Sequence, residues 1–201
     1  ADAPTAAAEA DAAAAPATAA GESAGAGGGV QHLILLRHGT PVPEDQDPRP
    51  LSAQGQQEAR QAAEGVVGYL GAPAARGVRL VHSGKARAEE TAKAVEAALK
   101  EADWKPCLAA APAGTIDPKA DPEAGVALVD GTAEPVLVVV GHLPHMGRFA
   151  ASLVGNPAAA GRLGGAFNPA GGLALRRLGA GGAAGGFEEA KAIVPGEEWW
   201  A

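Results

Sequence analysis

The chain has 201 residues, a length that favours one domain with a sizeable core, and with 47% hydrophobic but only 3% aromatic residues that core must be aliphatic. A net charge of -7 speaks against a nucleic-acid binder, which needs a basic face, and no apolar run approaches the ~20 residues that span a bilayer. A single cysteine, Cys107, excludes an internal disulfide and a cysteine metal cluster and fits a reducing compartment.

Residues 1–29 contain Asp2, Glu9, Asp11 and Glu22 but no Lys or Arg, so the rest of the chain carries only -3 of the -7. Pro4, Pro16 and a closing glycine run interrupt an alanine-rich segment that has no apolar stripe to dock. A disordered acidic tail is expected there, followed by one domain over residues 30–201. The segment is acidic, the reverse of an arginine-rich transit peptide, so a cytoplasmic setting is expected.

Leu33-Ile34-Leu35-Leu36 reads as a strand buried on both faces, and it runs straight into Arg37-His38-Gly39-Thr40. A cation and an imidazole at the carboxyl end of a central strand sit where open α/β sheets place their sites. A proline- and acid-rich loop follows to Pro50, and Ser52 is a good N-cap for a helix. Ala59, Ala62, Ala63, Val66, Val67 and Leu70 line one face of that helix, which Gly71 should end.

Residues 78–81 form a second short strand, and residues 86–100 a helix with Ala88, Ala92, Val95 and Leu99 as its apolar stripe. Arg87 falls in the first turn of that helix, where free backbone N–H groups favour an anion. A cation there is mildly unfavourable for the helix dipole, which argues for an anionic partner. Residues 106–108 suggest a short strand and residues 123–129 a weak helix. Residues 136–140, rich in valine, form a further strand, directly followed by Gly141-His142-Leu143-Pro144-His145. A helix is expected over residues 146–154. Residues 172–177 alternate like an edge strand, residues 179–186 form a flexible turn, and residues 190–194 can return antiparallel. Trp199 and Trp200 close the chain, either packed on the sheet or exposed. Alternating strands and helices predict an α/β fold of three layers, α/β/α, around a mainly parallel sheet.

Three of these strands end in an Arg or a His, which brings Arg37, His38, Arg87 and His142 towards one sheet edge. This set resembles the histidine phosphatase, or phosphoglycerate-mutase-like, superfamily, with Arg-His-Gly early and Gly-His late. The short chain, His142-Leu143-Pro144 and Arg49-Pro50-Leu51-Ser52 resemble the SixA-type phosphohistidine phosphatases within it, over roughly residues 31–194.

The resemblance implies a metal-independent phosphatase with no cofactor. His38 would be the nucleophile that forms a phosphohistidine, Arg37 and Arg87 a bidentate clamp on the phosphoryl oxygens, and His142 the stabiliser of transition-state charge. Gly39 would allow close approach of the phosphate, and Arg49 is a candidate substrate contact set against a solvated loop arginine. The superfamily's usual acid has no recognisable counterpart; Asp117 and Asp121 are the candidates for a general acid. The expected partner is a phosphorylated protein or a small phosphate compound, handled by a monomer away from membranes and nucleic acid. Two enzyme alternatives stand beside this reading: a small-metabolite phosphomonoesterase of the same superfamily, and a metal hydrolase using His142 and His145 with His38 or His82. A third is a catalytically idle phosphate-binding module.

Overall fold

A computed structural model describes residues 29–45, 48–72, 77–178 and 186–197. The expectations for residues 1–28, for most of the turn at 179–186 and for Trp199 and Trp200 lie outside the described residues.

Six strands form one sheet in the order β3-β2-β4-β1-β5-β6. They are β1 (His32–Arg37), β2 (Gly77–His82), β3 (Lys105–Ala110), β4 (Val136–Gly141), β5 (Gly172–Arg177) and β6 (Phe187–Ile193). β3, β2, β4 and β1 run parallel, whereas β5 and β6 add antiparallel at one side. The fold is therefore α/β with a mainly parallel sheet.

Period-2 alternation divides the aliphatic runs between two cores. Ile34 and Leu36 of β1 and Val136, Val138 and Val140 of β4 pack under α1 (Ala53–Leu70) and α2 (Ala86–Glu101). Leu33, Leu35, Leu137 and Val139 face the other way, onto α4 (His145–Leu153) and α5 (Ala160–Gly164), with α3 (Pro122–Asp130) on the same side. Three layers result. Among the described residues, no helix is long and apolar enough to cross a membrane.

Local chemistry explains the helix bounds. The Ser52 hydroxyl accepts the Gly55 N–H at the start of α1, and Gly71 closes it by donating its N–H to the Val67 carbonyl. On α2, Ala88, Ala92, Val95 and Leu99 are fully buried, as the stripe requires. β5 differs from expectation: it lies inside the sheet, and β6 is the edge. Gly172, Leu173, Ala174 and Leu175 are all buried. Small residues between large ones mimic a half-exposed strand in the sequence, but here they let both faces be covered.

Candidate active site

The same alternation that builds the core delivers the site. His38 lies two residues beyond Leu36, and His142 two beyond Val140, so both imidazoles continue the α1/α2 face of the sheet. Parallel pairing sets Arg37 opposite Gly141, which brings the two histidines abreast. Their ring centroids are 4.8 Å apart with the planes at 57°. The His38 N–H donates to the Gly141 carbonyl at 3.2 Å, and the His38 carbonyl accepts from the Ala170 N–H at 3.2 Å. The nucleophile candidate is thus held by β4 on one side and by the turn that leads into β5 on the other.

Arg87, in the first turn of α2, donates its Nε–H to His38 Nε2 at 3.2 Å. A guanidinium can only donate, so Nε2 must carry a lone pair. The proton then sits on Nδ1, which donates to the Gly39 carbonyl at 2.8 Å. The hydrogen bonds therefore fix the tautomer, with the basic nitrogen turned to the arginine.

Burial lowers the pKa of His38 to about 4, with Arg87, Arg37 and Arg49 adding to the fall and the Gly39 carbonyl opposing it. His142 is lowered to about 3, by burial first and then by His38, Arg87, Lys85 and Arg37. Both rings are neutral at pH 7. Two neutral imidazoles with Arg37, Arg87, Arg49 and Lys85 acting on them leave a site of net positive character. The α2 N-terminus adds to it: the N-cap is Lys85, with no side-chain cap, so N–H groups of the first turn are left free of a side-chain acceptor.

The remaining candidates fall into two groups. Arg37 lies near enough for its charge to act on His38 and His142 and is tethered by its Nη1 to the Phe167 carbonyl at 3.2 Å. Arg49 lies near enough for its charge to act on His38 and Arg87. It is pinned by Nε to the Val42 carbonyl at 2.7 Å and by Nη1 to Glu44 at 3.2 Å, so it is a rim residue held in place rather than a freely solvated one.

Asp117 and Asp121 instead serve the 111–121 loop. Asp117 accepts the Gly114 N–H at 3.0 Å, and Asp121 caps α3 through the Glu123 N–H at 3.1 Å. Their charges act on His145, which donates from Nδ1 to the Ala120 carbonyl at 3.2 Å and stacks on Phe149. His82 Nδ1 accepts the Gly84 N–H, and the charges that act on it are Glu89 and Lys93. His142, His145 and His82 thus point to different partners. Among the described residues no three His, Cys, Asp or Glu side chains are grouped to hold a metal ion.

Three residues enter that the sequence reading did not select. The Ser83 hydroxyl lies 2.6 Å from His142 Nε2. Thr91, fully buried on α2, accepts the Gly39 N–H at 3.1 Å and donates to the Arg87 carbonyl at 2.8 Å. This closes a ring from His38 through Gly39, Thr91 and Arg87 back to His38. Glu58 accepts the Thr40 N–H at 2.7 Å and its hydroxyl at 3.0 Å. The loop can meet α1 so closely because both contact points are glycines. A Cβ on Gly39 would lie 2.6 Å from the Gly55 carbonyl oxygen, and one on Gly55 would collide with the Thr40 carbonyl. Thr91 carried a signal, a hydroxyl inside an apolar stripe. Glu58 carried none.

The fold, α/β with a mostly parallel six-stranded sheet, is similar to that of phosphoglycerate-mutase-like structures. Within it, solved SixA structures are among the molecules that superpose on the chain. The SixA protein from Agrobacterium tumefaciens matches with a TM-score of 0.61 at 20% identity, covering 83% of this chain and 99% of its own. The protein histidine phosphatase SixA in complex with tungstate gives 0.61 at 21% identity, with 82% and 97% covered. A phosphoglycerate mutase from Plasmodium falciparum gives 0.55 at 18% identity, with 83% and 94% covered. Neither a protein-family model nor a curated protein matches the sequence.

Proposed function

We propose that the protein is a phosphatase working through a phosphohistidine on His38, and that its substrate is protein phosphohistidine. The observation that carries this reading is the state of His38: an unprotonated Nε2 facing a cation cluster, with Nδ1–H held by the Gly39 carbonyl. A lone pair so placed is a nucleophile for an incoming phosphoryl group.

A phosphoryl dianion bound between His38 and His142 meets Arg37 and Arg87, which hold its equatorial oxygens. The anion draws a proton onto His142, and the resulting imidazolium stabilises charge in the transition state. His38 Nε2 forms its bond to phosphorus as the bond to the leaving nitrogen breaks, and that nitrogen takes its proton from solvent. Water then attacks the phosphoenzyme, releases inorganic phosphate and restores the Nε2 lone pair. Every positive charge in this scheme comes from the chain.

The choice of a phosphoramidate rests on the carboxylates. Asp117 and Asp121 are engaged in the loop beside His145. An imidazole leaving group can be protonated before cleavage and needs no enzymic acid, whereas an alkoxide does. Lys85 and Arg49 favour a second reading, because they add cations beyond the two arginines of the clamp. Such a rim would suit a small phosphate compound whose leaving group carries its own acid.

The test is kcat/KM across a leaving-group series in wild type, Asp117→Asn and Asp121→Asn. Phosphohistidine and aryl phosphates should exceed alkyl phosphates by about 10²–10⁴-fold, the usual worth of a missing general acid. A flat series in wild type that turns steep in either variant would make that aspartate the acid and favour the metabolite reading. No turnover of any member would leave an idle binding module.

A further inference from the structure

We propose that Glu58 is a positioning residue for His38 and acts on it through the Gly39–Thr40 peptide group. This rests on the reading of His38 as the nucleophile. One peptide plane carries both contacts: its C=O accepts the His38 Nδ1–H at 2.8 Å, and its N–H donates to Glu58 Oε2 at 2.7 Å. A carboxylate on the N–H side polarises the C=O side and makes it a better acceptor, so the two bonds reinforce each other.

The carboxylate is itself fully oriented. Its Oε1 accepts the Thr40 hydroxyl at 3.0 Å and the Gln54 Nε2 at 2.8 Å. The first turn of α1 grips the far side of the same residue: the Ser52 N–H and hydroxyl both donate to the Thr40 carbonyl at 2.9 Å. With Gly55 packed against Thr40, the peptide between residues 39 and 40 has no room to rotate.

That restraint matters because His38 has two neutral tautomers, and only the one protonated on Nδ1 leaves a lone pair on Nε2. Releasing Thr40 frees the peptide plane and weakens the acceptor for Nδ1–H, which leaves the single 3.2 Å Arg87 bond to bias the ring and lets the second tautomer become populated. A phosphoryl group on Nε2 also leaves Nδ1–H as the ring's single donor, so the same acceptor supports the intermediate. The needed property of residue 58 is an acceptor that reaches the Thr40 N–H. Glutamine keeps it, aspartate is too short, and alanine lacks it.

The experiment labels histidine with ¹⁵N in the full chain and reads the His38 tautomer at pH 7, alongside kcat and KM for an aryl phosphate. Wild type and Glu58→Gln should show His38 protonated on Nδ1 alone, with closely similar kcat. Glu58→Asp and Glu58→Ala should show mixed tautomers and a kcat lower by about 10- to 100-fold at unchanged KM, the usual cost of losing a partner that orients an imidazole. The aspartate variant keeps the charge and serves if the alanine variant does not fold. A single Nδ1–H tautomer retained in Glu58→Asp or Glu58→Ala overturns the proposal, whatever happens to stability or rate. Because the tautomer is read without turnover, mixed tautomers in these variants of a protein that hydrolyses nothing would uphold the positioning role and reject the phosphatase.

Discussion

Acidifying the ligand-free protein should destabilise it through the two site histidines, and His142 gives the cleanest measure. Its pKa is about 3 in the folded chain against 6.5 for an ordinary histidine. Below pH 6.5 the unfolded chain takes up a proton that the folded chain does not. Stability is therefore unaffected above pH 6.5 and falls as the pH drops towards about 3, where the folded chain binds the proton too. Each pH unit in that window costs about 1.4 kcal/mol, so pH 5 costs about 2 kcal/mol through His142. The residue is only 3% exposed, so solvent screens little of this effect. Urea unfolding at pH 7 and pH 5, in buffer free of phosphate and sulfate, measures the loss. Wild type should lose about 2 kcal/mol more than His142→Gln between the two values. If both lose the same stability, His142 is not held neutral by its burial and cationic neighbours, and the account of the site's charge fails.

Other consequences follow from named contacts. Thr91→Val keeps the volume but leaves the Gly39 N–H without its acceptor, which should cost about 1–3 kcal/mol and lower Tm by roughly 2–4 °C per kcal/mol, with Thr91→Ser restoring both. A wild-type melting curve for Thr91→Val would remove Thr91 from the ring. Arg87→Lys keeps the charge but loses the Nε–H bond to His38 and the fork, so kcat on an aryl phosphate should fall about 10²–10³-fold. A lysine variant as fast as wild type would make the bidentate clamp the wrong picture. Binding of sulfate, a dianion, should raise the His142 pKa from its low value, so calorimetry in buffers of different ionisation heat should detect up to about one proton taken up near pH 6 and less near pH 8. Binding without proton uptake would leave His142 neutral in the complex.

Much of this architecture was legible because it depends on local pattern. The aliphatic runs before His38 and His142 predict buried parallel strands whose ends bring both imidazoles to one sheet edge, while their sharing one face follows from the β1–β4 register. Arg87 was visible as a cation in the wrong half of a helix. What stayed hidden depends on where separate segments meet. Glu58 looks like any acid on an exposed turn of α1, and only the contact of Gly39 with Gly55 brings it to Thr40. Ser83 lies just past the end of β2, and its reach to His142 follows from β2 lying beside β4. Asp117 and Asp121 are simply acids available in a loop, and their hydrogen bonds to nearby N–H groups are short-range features no spacing rule separates from catalysis. β5 reads as an edge because Gly172 and Ala174 look polar-like in pattern while being small enough to bury.

The proposed reaction turns on a covalent bond between phosphorus and His38 Nε2. Rapid mixing with a phosphate-labelled substrate, followed by quenching in alkali, where phosphohistidine survives, captures that bond directly. Label should appear on His38 in wild type within one turnover, and none in His38→Ala. Label on any other residue, or turnover in His38→Ala at the wild-type rate, would contradict it.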